Sequence, residues 1–153
     1  MQYFKPAEYR KWYQDMSVRT MTMLDVLRFS LGRDKTIVIS PNEDALGRHL
    51  GPNNESCHNI DFWGEVLAID GFCPWIKSED EVRWVFNRSR EIGFTGIGVY
   101  ADTTFNGKKL PMFHWDTRTT EKMGAPATWG RVAGQYVSVN QAIGACFVRN
   151  IRP

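Results

Sequence analysis

Gly96-Ile97-Gly98-Val99-Tyr100 and Leu110-Pro111-Met112-Phe113-His114-Trp115 are two apolar runs separated by a polar span with Asn106-Gly107 inside it. Runs rich in β-branched and aromatic residues read as strands. Asn-Gly supplies the two positive-φ positions that a tight hairpin turn demands. Residues 96–115 therefore predict a strand, a turn and a strand, and a sheet becomes the frame on which everything else is placed.

Outward from that frame, Val66-Leu67-Ala68-Ile69-Asp70-Gly71-Phe72 reads as a strand that delivers Asp70 near its end. Lys35 to Ser40 reads as a shorter buried strand stopped by Pro41. Ser78-Glu79-Asp80-Glu81 is a capping box, and the helix it opens turns Val82, Val85, Phe86 and Ile92 inward before Gly93 closes it. The segment 6–31 predicts two helical pieces. Pro6 suits a first turn, and Tyr9, Trp12, Tyr13 and Met16 recur at helical spacing. Met23, Leu24, Val26, Leu27 and Leu31 form a second apolar face, stopped at Gly32. Val137 to Ile151 predicts a terminal helix. Pro41 to about Ser56 is polar and rich in Asn, Gly and Pro, a loop of the length that usually carries function. The expected class is α+β, a small, mainly antiparallel sheet flanked by helices. It forms one domain over residues 1–153, with a helical segment 6–31, a core 35–130 and a C-terminal segment 131–153.

Composition narrows the function. A chain of 153 residues is enough for one well-buried core. The net charge of +2 is scattered, with no Lys/Arg run or stripe, which argues against nucleic acid as a partner. Three cysteines, odd in number and without framework spacing, read as free thiols in a reducing compartment. Met1 to Pro6 has no basic start followed by an apolar run, so no signal peptide is expected. Nor is a membrane span, because no apolar stretch approaches eighteen residues.

The chain has only three histidines, and two stand in phrases with metal-ligand character. His58 lies in Ser56-Cys57-His58-Asn59, and His114 in Phe113-His114-Trp115-Asp116-Thr117-Arg118. With Asp70 they make two imidazoles and a carboxylate, a set that suits Zn2+ and leaves a fourth position open. Asp116 and Arg118 follow His114 at intervals of two and share its strand face. Asp116 is thus the first candidate for a general base or for an orienter of the site. Arg118 either pairs with Asp116 or holds a substrate carboxylate. His49 has no motif around it and reads as a loop residue.

Ser56-x-His58, Ala68-Ile69-Asp70, Gly93 to Tyr100, Phe113 to Arg118 and Ala127-Thr128-Trp129-Gly130 occur in this order. Together they resemble the zinc peptidases that trim bacterial peptidoglycan peptides. These are the D-Ala-D-Ala carboxypeptidase and L-alanyl-D-glutamate endopeptidase family, which includes phage lysins and hedgehog-like folds. The resemblance covers about residues 37–129. It implies a hedgehog-like fold, zinc held by His58, Asp70 and His114, and a peptidoglycan peptide as substrate. Arg48 stands where the family often keeps a substrate-contacting arginine, a solvated loop charge being the alternative. Ser56, Arg118 and Trp129 join it as expected substrate-binding residues. Two departures mark the chain. His58 and Asp70 are twelve residues apart where seven is common, so that Glu65 stands at the seven-residue position. Pro111 stands three residues before His114, where many members keep an acid. The base is therefore open between Asp116, taken first, and Glu65. The implied activity is hydrolysis of a stem-peptide or cross-bridge bond by a phage lysin, released by a holin or carried in the virion beside partner proteins. The alternative is a virion structural or assembly protein that keeps the fold without the chemistry.

Overall fold

The computed structural model describes residues 3–119 and 125–147. The expected α+β class holds, and its sheet is mixed, with six strands flanked by helices. The two strands of the opening stretch, β3 (Gly96–Tyr100) and β6 (Met112–Asp116), pair antiparallel with Gly98 opposite His114. Between them Asn106 and Gly107 both adopt positive φ and turn a two-residue hairpin of β4 (Thr104–Phe105) and β5 (Lys108–Lys109). The Asn-Gly signal thus marks a small satellite hairpin, and the pairing of β3 with β6 is the wider arch around it.

On the far side of β6 lies β2 (Ala68–Phe72), antiparallel, with Asp70 opposite His114. Beyond it is β1, trimmed to Val38–Ile39. β7 (Ala127–Val132) pairs with β3 in parallel and turns through Ala133 and Gly134, both at positive φ, into β8 (Gln135–Val137). The strand order is β1-β2-β6-β3-β7-β8. Neither β7 nor β8 was anticipated as a strand.

A 3₁₀ helix covers Pro6–Asp15, broken at Arg10, whose φ is 56°. Arg10 donates to the backbone carbonyls of Ser40 and Asn42, fastening this segment to the turn after β1. Helix α1 (Val18–Leu31) ends at Gly32, as expected. It buries Leu24, Leu27 and Leu31, whereas Val26 is 46% exposed. The inward face rotates to Thr20 and Met21 instead, because Thr20 donates to the Leu67 carbonyl at 3.0 Å. A second 3₁₀ turn, Glu43–Ala45, sits in the expected loop, and a single α-turn, α2, covers Ile60–Trp63. Helix α3 (Glu79–Ile92) starts from Ser78, which accepts the Glu81 amide, and stops at left-handed Gly93. The expected terminal helix is α4 (Val139–Ala145), capped by Ser138 with Gln141. Val137 belongs to β8, and residues 148–151 of that expectation lie outside the described residues.

α3 and α4 cover one face of the sheet, and α1 packs against α3. That face presents Ile69, Trp115, Phe113, Ile97 and Val99, all essentially fully buried. Because side chains alternate across a strand, Asp70, His114 and Asp116 face the other way. Gly130 permits the close packing of α4, since a Cβ there would lie 2.3 Å from that of Ala142.

Candidate metal centre

Two of the three expected ligands are placed by strand register alone. Asp70 and His114 are direct cross-strand neighbours on β2 and β6. His58 comes from the loop before α2, which is fastened on both sides. The Arg48 amide donates to the His58 carbonyl at 2.8 Å, and the Leu67 amide to that of Cys57 at 2.9 Å. The neighbouring Asn59 is fully buried. It accepts the amides of Leu50 and Asp61, and it donates to the carbonyls of Gly51 and Asn54 at 2.7 Å each. One amide side chain thus sets the shape of residues 50–61, and with it the reach of His58.

The three side chains converge through single atoms. His58 Nε2 lies 3.3 Å from His114 Nδ1 and 3.4 Å from Asp70 Oδ1, and His114 Nδ1 lies 2.9 Å from Asp70 Oδ1. An ion bound tetrahedrally at 2.0–2.1 Å separates its donors by about 3.3 Å. Two of the three distances match that edge, and the third, between His114 Nδ1 and Asp70 Oδ1, is a little shorter. The outer nitrogen of each ring is engaged elsewhere. His58 Nδ1 donates to the Leu46 carbonyl, and His114 Nε2 donates to Asp116 Oδ2 at 2.8 Å. Acceptors at those nitrogens aim the bare lone pairs at one point. All three residues are buried, and this group can hold a metal ion.

The charges agree with that reading. Burial alone would strip the proton from His114, but the hydrogen bonds and charges of Asp116 and Asp70 outweigh it and hold the imidazole up at about 9. Burial likewise opposes the Asp70 carboxylate, yet the two imidazoles keep it well below the usual carboxylate range. The group is thus a carboxylate and a proton-holding imidazole in the place where a cation fits.

Asp116 does not face the opening. It is fully buried behind His114, and both its oxygens are engaged. Arg118 Nε donates to Oδ1 at 2.9 Å and its Nη2 to Oδ2 at 2.5 Å, while its amide reaches Oδ1 at 3.1 Å. This places Asp116 behind His114, away from the point where the three donors converge. Arg118 in turn pairs with Asp116 and lies over the Trp129 ring, 4.9 Å from its centroid. Burial, then the nearby Asp116 charge, pushes the Cys57 thiol up to about 12. All three cysteines are buried and none forms a disulfide, as expected.

A cavity of about 420 Å³ opens over the three donors, and Arg48, Ser56, Arg118 and Trp129 all line it. Arg48 gives Nε and Nη2 to the Asp44 carbonyl at 3.0 and 2.9 Å, so it is anchored rather than freely solvated. Glu65 is not brought to the site. It is exposed and lines a separate depression with Trp63 and Thr117, because it stands between the turn α2 and β2, which begins only at Ala68. His49 is an exposed loop residue, paired with Asp61 at 2.7 Å. Three lining residues escape the sequence reading: Glu55, Tyr100 and Tyr136. Glu55 directly precedes the Ser-x-His phrase, and Tyr100 ends a recognised strand, so both had a signal. Tyr136 stands on the unrecognised β8.

Gly96 and Gly98 are what let this face close up. A Cβ at Gly96 would lie 2.2 Å from Asp116 Oδ1, and one at Gly98 would lie 2.6 Å from the Trp129 indole nitrogen. Trp129 thereby crosses β3, comes within 5.0 Å of the His114 ring, and donates to the Tyr100 hydroxyl at 3.4 Å. No helix among the described residues is long and apolar enough to cross a membrane. No protein-family model, no curated protein and no solved structure matches this chain.

Proposed function

We propose that this protein is a zinc-dependent peptidase of the peptidoglycan-trimming type with a hedgehog-like fold, acting on a stem-peptide or cross-bridge bond as a phage lysin. The observation that carries the reading is the convergence of His58 Nε2, Asp70 Oδ1 and His114 Nδ1, with each ring's outer nitrogen held from behind. Two imidazoles and one carboxylate suit zinc, and three protein donors leave a position open, the pattern of catalytic rather than structural sites. Bound there, zinc supplies Lewis acidity toward a peptide carbonyl and toward water.

The chain's own residues supply the rest. Asp116 fixes the His114 tautomer and strengthens it as a donor. Arg118 neutralises Asp116 and presents one edge to the cavity beside Trp129. Arg48, which also lines the cavity, offers a cation toward a substrate carbonyl or carboxylate. Besides Asp70, Glu55 is the carboxylate among the cavity's described lining residues, and it is the group proposed to move the proton. As a phage lysin, the enzyme would reach the wall after holin release or as part of a virion.

The test is digestion of purified peptidoglycan by zinc-loaded protein, with and without a chelator, and identification of new peptide ends by mass spectrometry. Cleavage that the chelator and His114→Ala both abolish supports the reading. Intact wall after prolonged incubation with fully loaded protein refutes it. That result would favour the second reading, a virion structural protein that keeps the fold without the chemistry. The specific feature behind that alternative is Asp116, whose two oxygens are both occupied.

A further inference from the structure

Helix α1 is apolar on both of its faces. Leu24, Leu27 and Leu31 turn into the core. The opposite face carries Val18, Thr22, Val26 and Phe29, which fall within an arc of about 80° and span about 16 Å of the helix axis. Val18 is 72% exposed and Phe29 66%. A helix face that ends at water is normally charged. The outer face of α3 is of that kind, with Glu79, Asp80, Arg90 and Glu91 exposed. α1 has three charged residues, Arg19, Asp25 and Arg28, and two of them serve the fold. Arg28 closes the end of the helix, donating to the carbonyls of Gly32 and Arg33 at 2.7 and 2.9 Å. Asp25 accepts the amides of Tyr3 and Phe4 at 3.1 and 3.2 Å. Arg19 is the charge that stands on the outward face, at the N-terminal end of the stripe.

We infer that this face is the contact between two copies of the chain, packed as an antiparallel helix pair about a two-fold axis that crosses α1 at the level of Leu24. A two-fold contact asks only that one patch be complementary to itself, and an uncharged stripe is. About that axis Thr22 meets Val26 of the second copy. Arg19 lies over the Phe29 ring of the second copy, a cation–π contact made twice. Parallel packing would instead set the two Arg19 side chains against each other. A lipid surface matches less well, because it favours Lys and Arg along an apolar stripe and one flank here carries Asp25. The stripe and Arg19 together bury roughly 450 Å² per copy, roughly 900 Å² in total, below the roughly 1,200 Å² of a stable complex. The pair is therefore a weak dimer, with Kd on the order of 10⁻⁴ M. None of these residues lines the metal cavity, so pairing and metal binding are separable.

Sedimentation equilibrium of the full chain from about 10 μM to 1 mM, with zinc and with a chelator, tests the inference. The average mass should climb from the 17.6 kDa of one chain toward twice that value, alike in both conditions. Val26→Lys, at an exposed position, should weaken the association at least about 10-fold. A mixture of Thr22→Cys and Val26→Cys proteins should form the mixed disulfide faster than either protein links to itself, the native cysteines being buried. A chain that stays monomeric at 1 mM overturns the inference, and co-flotation of that monomer with phosphatidylglycerol vesicles would assign the face to lipid. Association that needs zinc, or that Val26→Lys leaves undiminished, places the contact elsewhere and overturns it too. Faster self-linkage of the Thr22→Cys protein overturns the antiparallel arrangement.

Discussion

Asp116 shows how one side chain can brace a group able to hold a metal while standing behind it. Its Oδ2 accepts the His114 Nε2 proton while Arg118 holds both of its oxygens, so the imidazole cannot rotate or change tautomer. Asp116→Asn keeps the shape but makes one oxygen an NH2 that opposes Arg118. The protein should remain folded while its zinc Kd, measured by competition with a chromophoric chelator, rises about 10- to 100-fold. Tyr9 is the contrary case. Its ring is fully buried, and its hydroxyl finds no hydrogen-bond partner among the described residues. An unpaired buried hydroxyl costs about 1–3 kcal/mol, so Tyr9→Phe should stabilise the fold by about 1 kcal/mol in urea denaturation. An unchanged or lowered midpoint would show that the hydroxyl is satisfied.

At the scale of elements, β3 is shaped by what crosses it. Gly96 and Gly98 point toward Asp116 and Trp129, and neither has room for a methyl group. Gly96→Ala drives a Cβ into a carboxylate that Arg118 and His114 hold in place. The expected cost is about 1–3 kcal/mol, with weaker zinc binding, checked by denaturation and metal titration together. These glycines read from sequence only as part of a strand, because what they make room for lies on other strands. The bounds of helix α3 were legible, since Ser78 and Gly93 are local start and stop signals that need no partner. β7 and β8 were not. β7 gains its place by parallel pairing with the distant β3, and Ala133 puts a residue with a side chain at a turn position where glycine would have been the cue. That His58, Asp70 and His114 belong together was legible because each stands in a short phrase of metal-ligand character, and the structure brings the three into one group. The division of labour between Asp116 and Glu65 was not, because it depends on where the turn α2 and strand β2 leave Glu65.

Away from the charged pairs, burial governs the acid–base behaviour. It pushes the thiols of Cys57 and Cys146 from near 9 up to about 12, and it raises the Cys73 thiol and the Tyr9 phenol as well. Each group stays protonated in the fold at a pH where the unfolded chain ionises. The stability they contribute is complete below about pH 9 and is lost as pH climbs toward 12. Urea midpoints should therefore fall between pH 8.5 and about 11, and the native thiols should resist alkylation at pH 8 until the protein is unfolded. The brace behind the metal group also bears on the order of assembly. Leu46, Asp116 and Arg118 already hold the two imidazoles in position when no ion is present. The ligands lie 12, 44 and 56 residues apart in pairs, so they meet only once β2 and β6 have paired. In zinc-finger peptides the ion drives folding; here the three side chains are brought together by the fold's own strand pairing, so a metal ion held by them would bind after folding and could leave without undoing it.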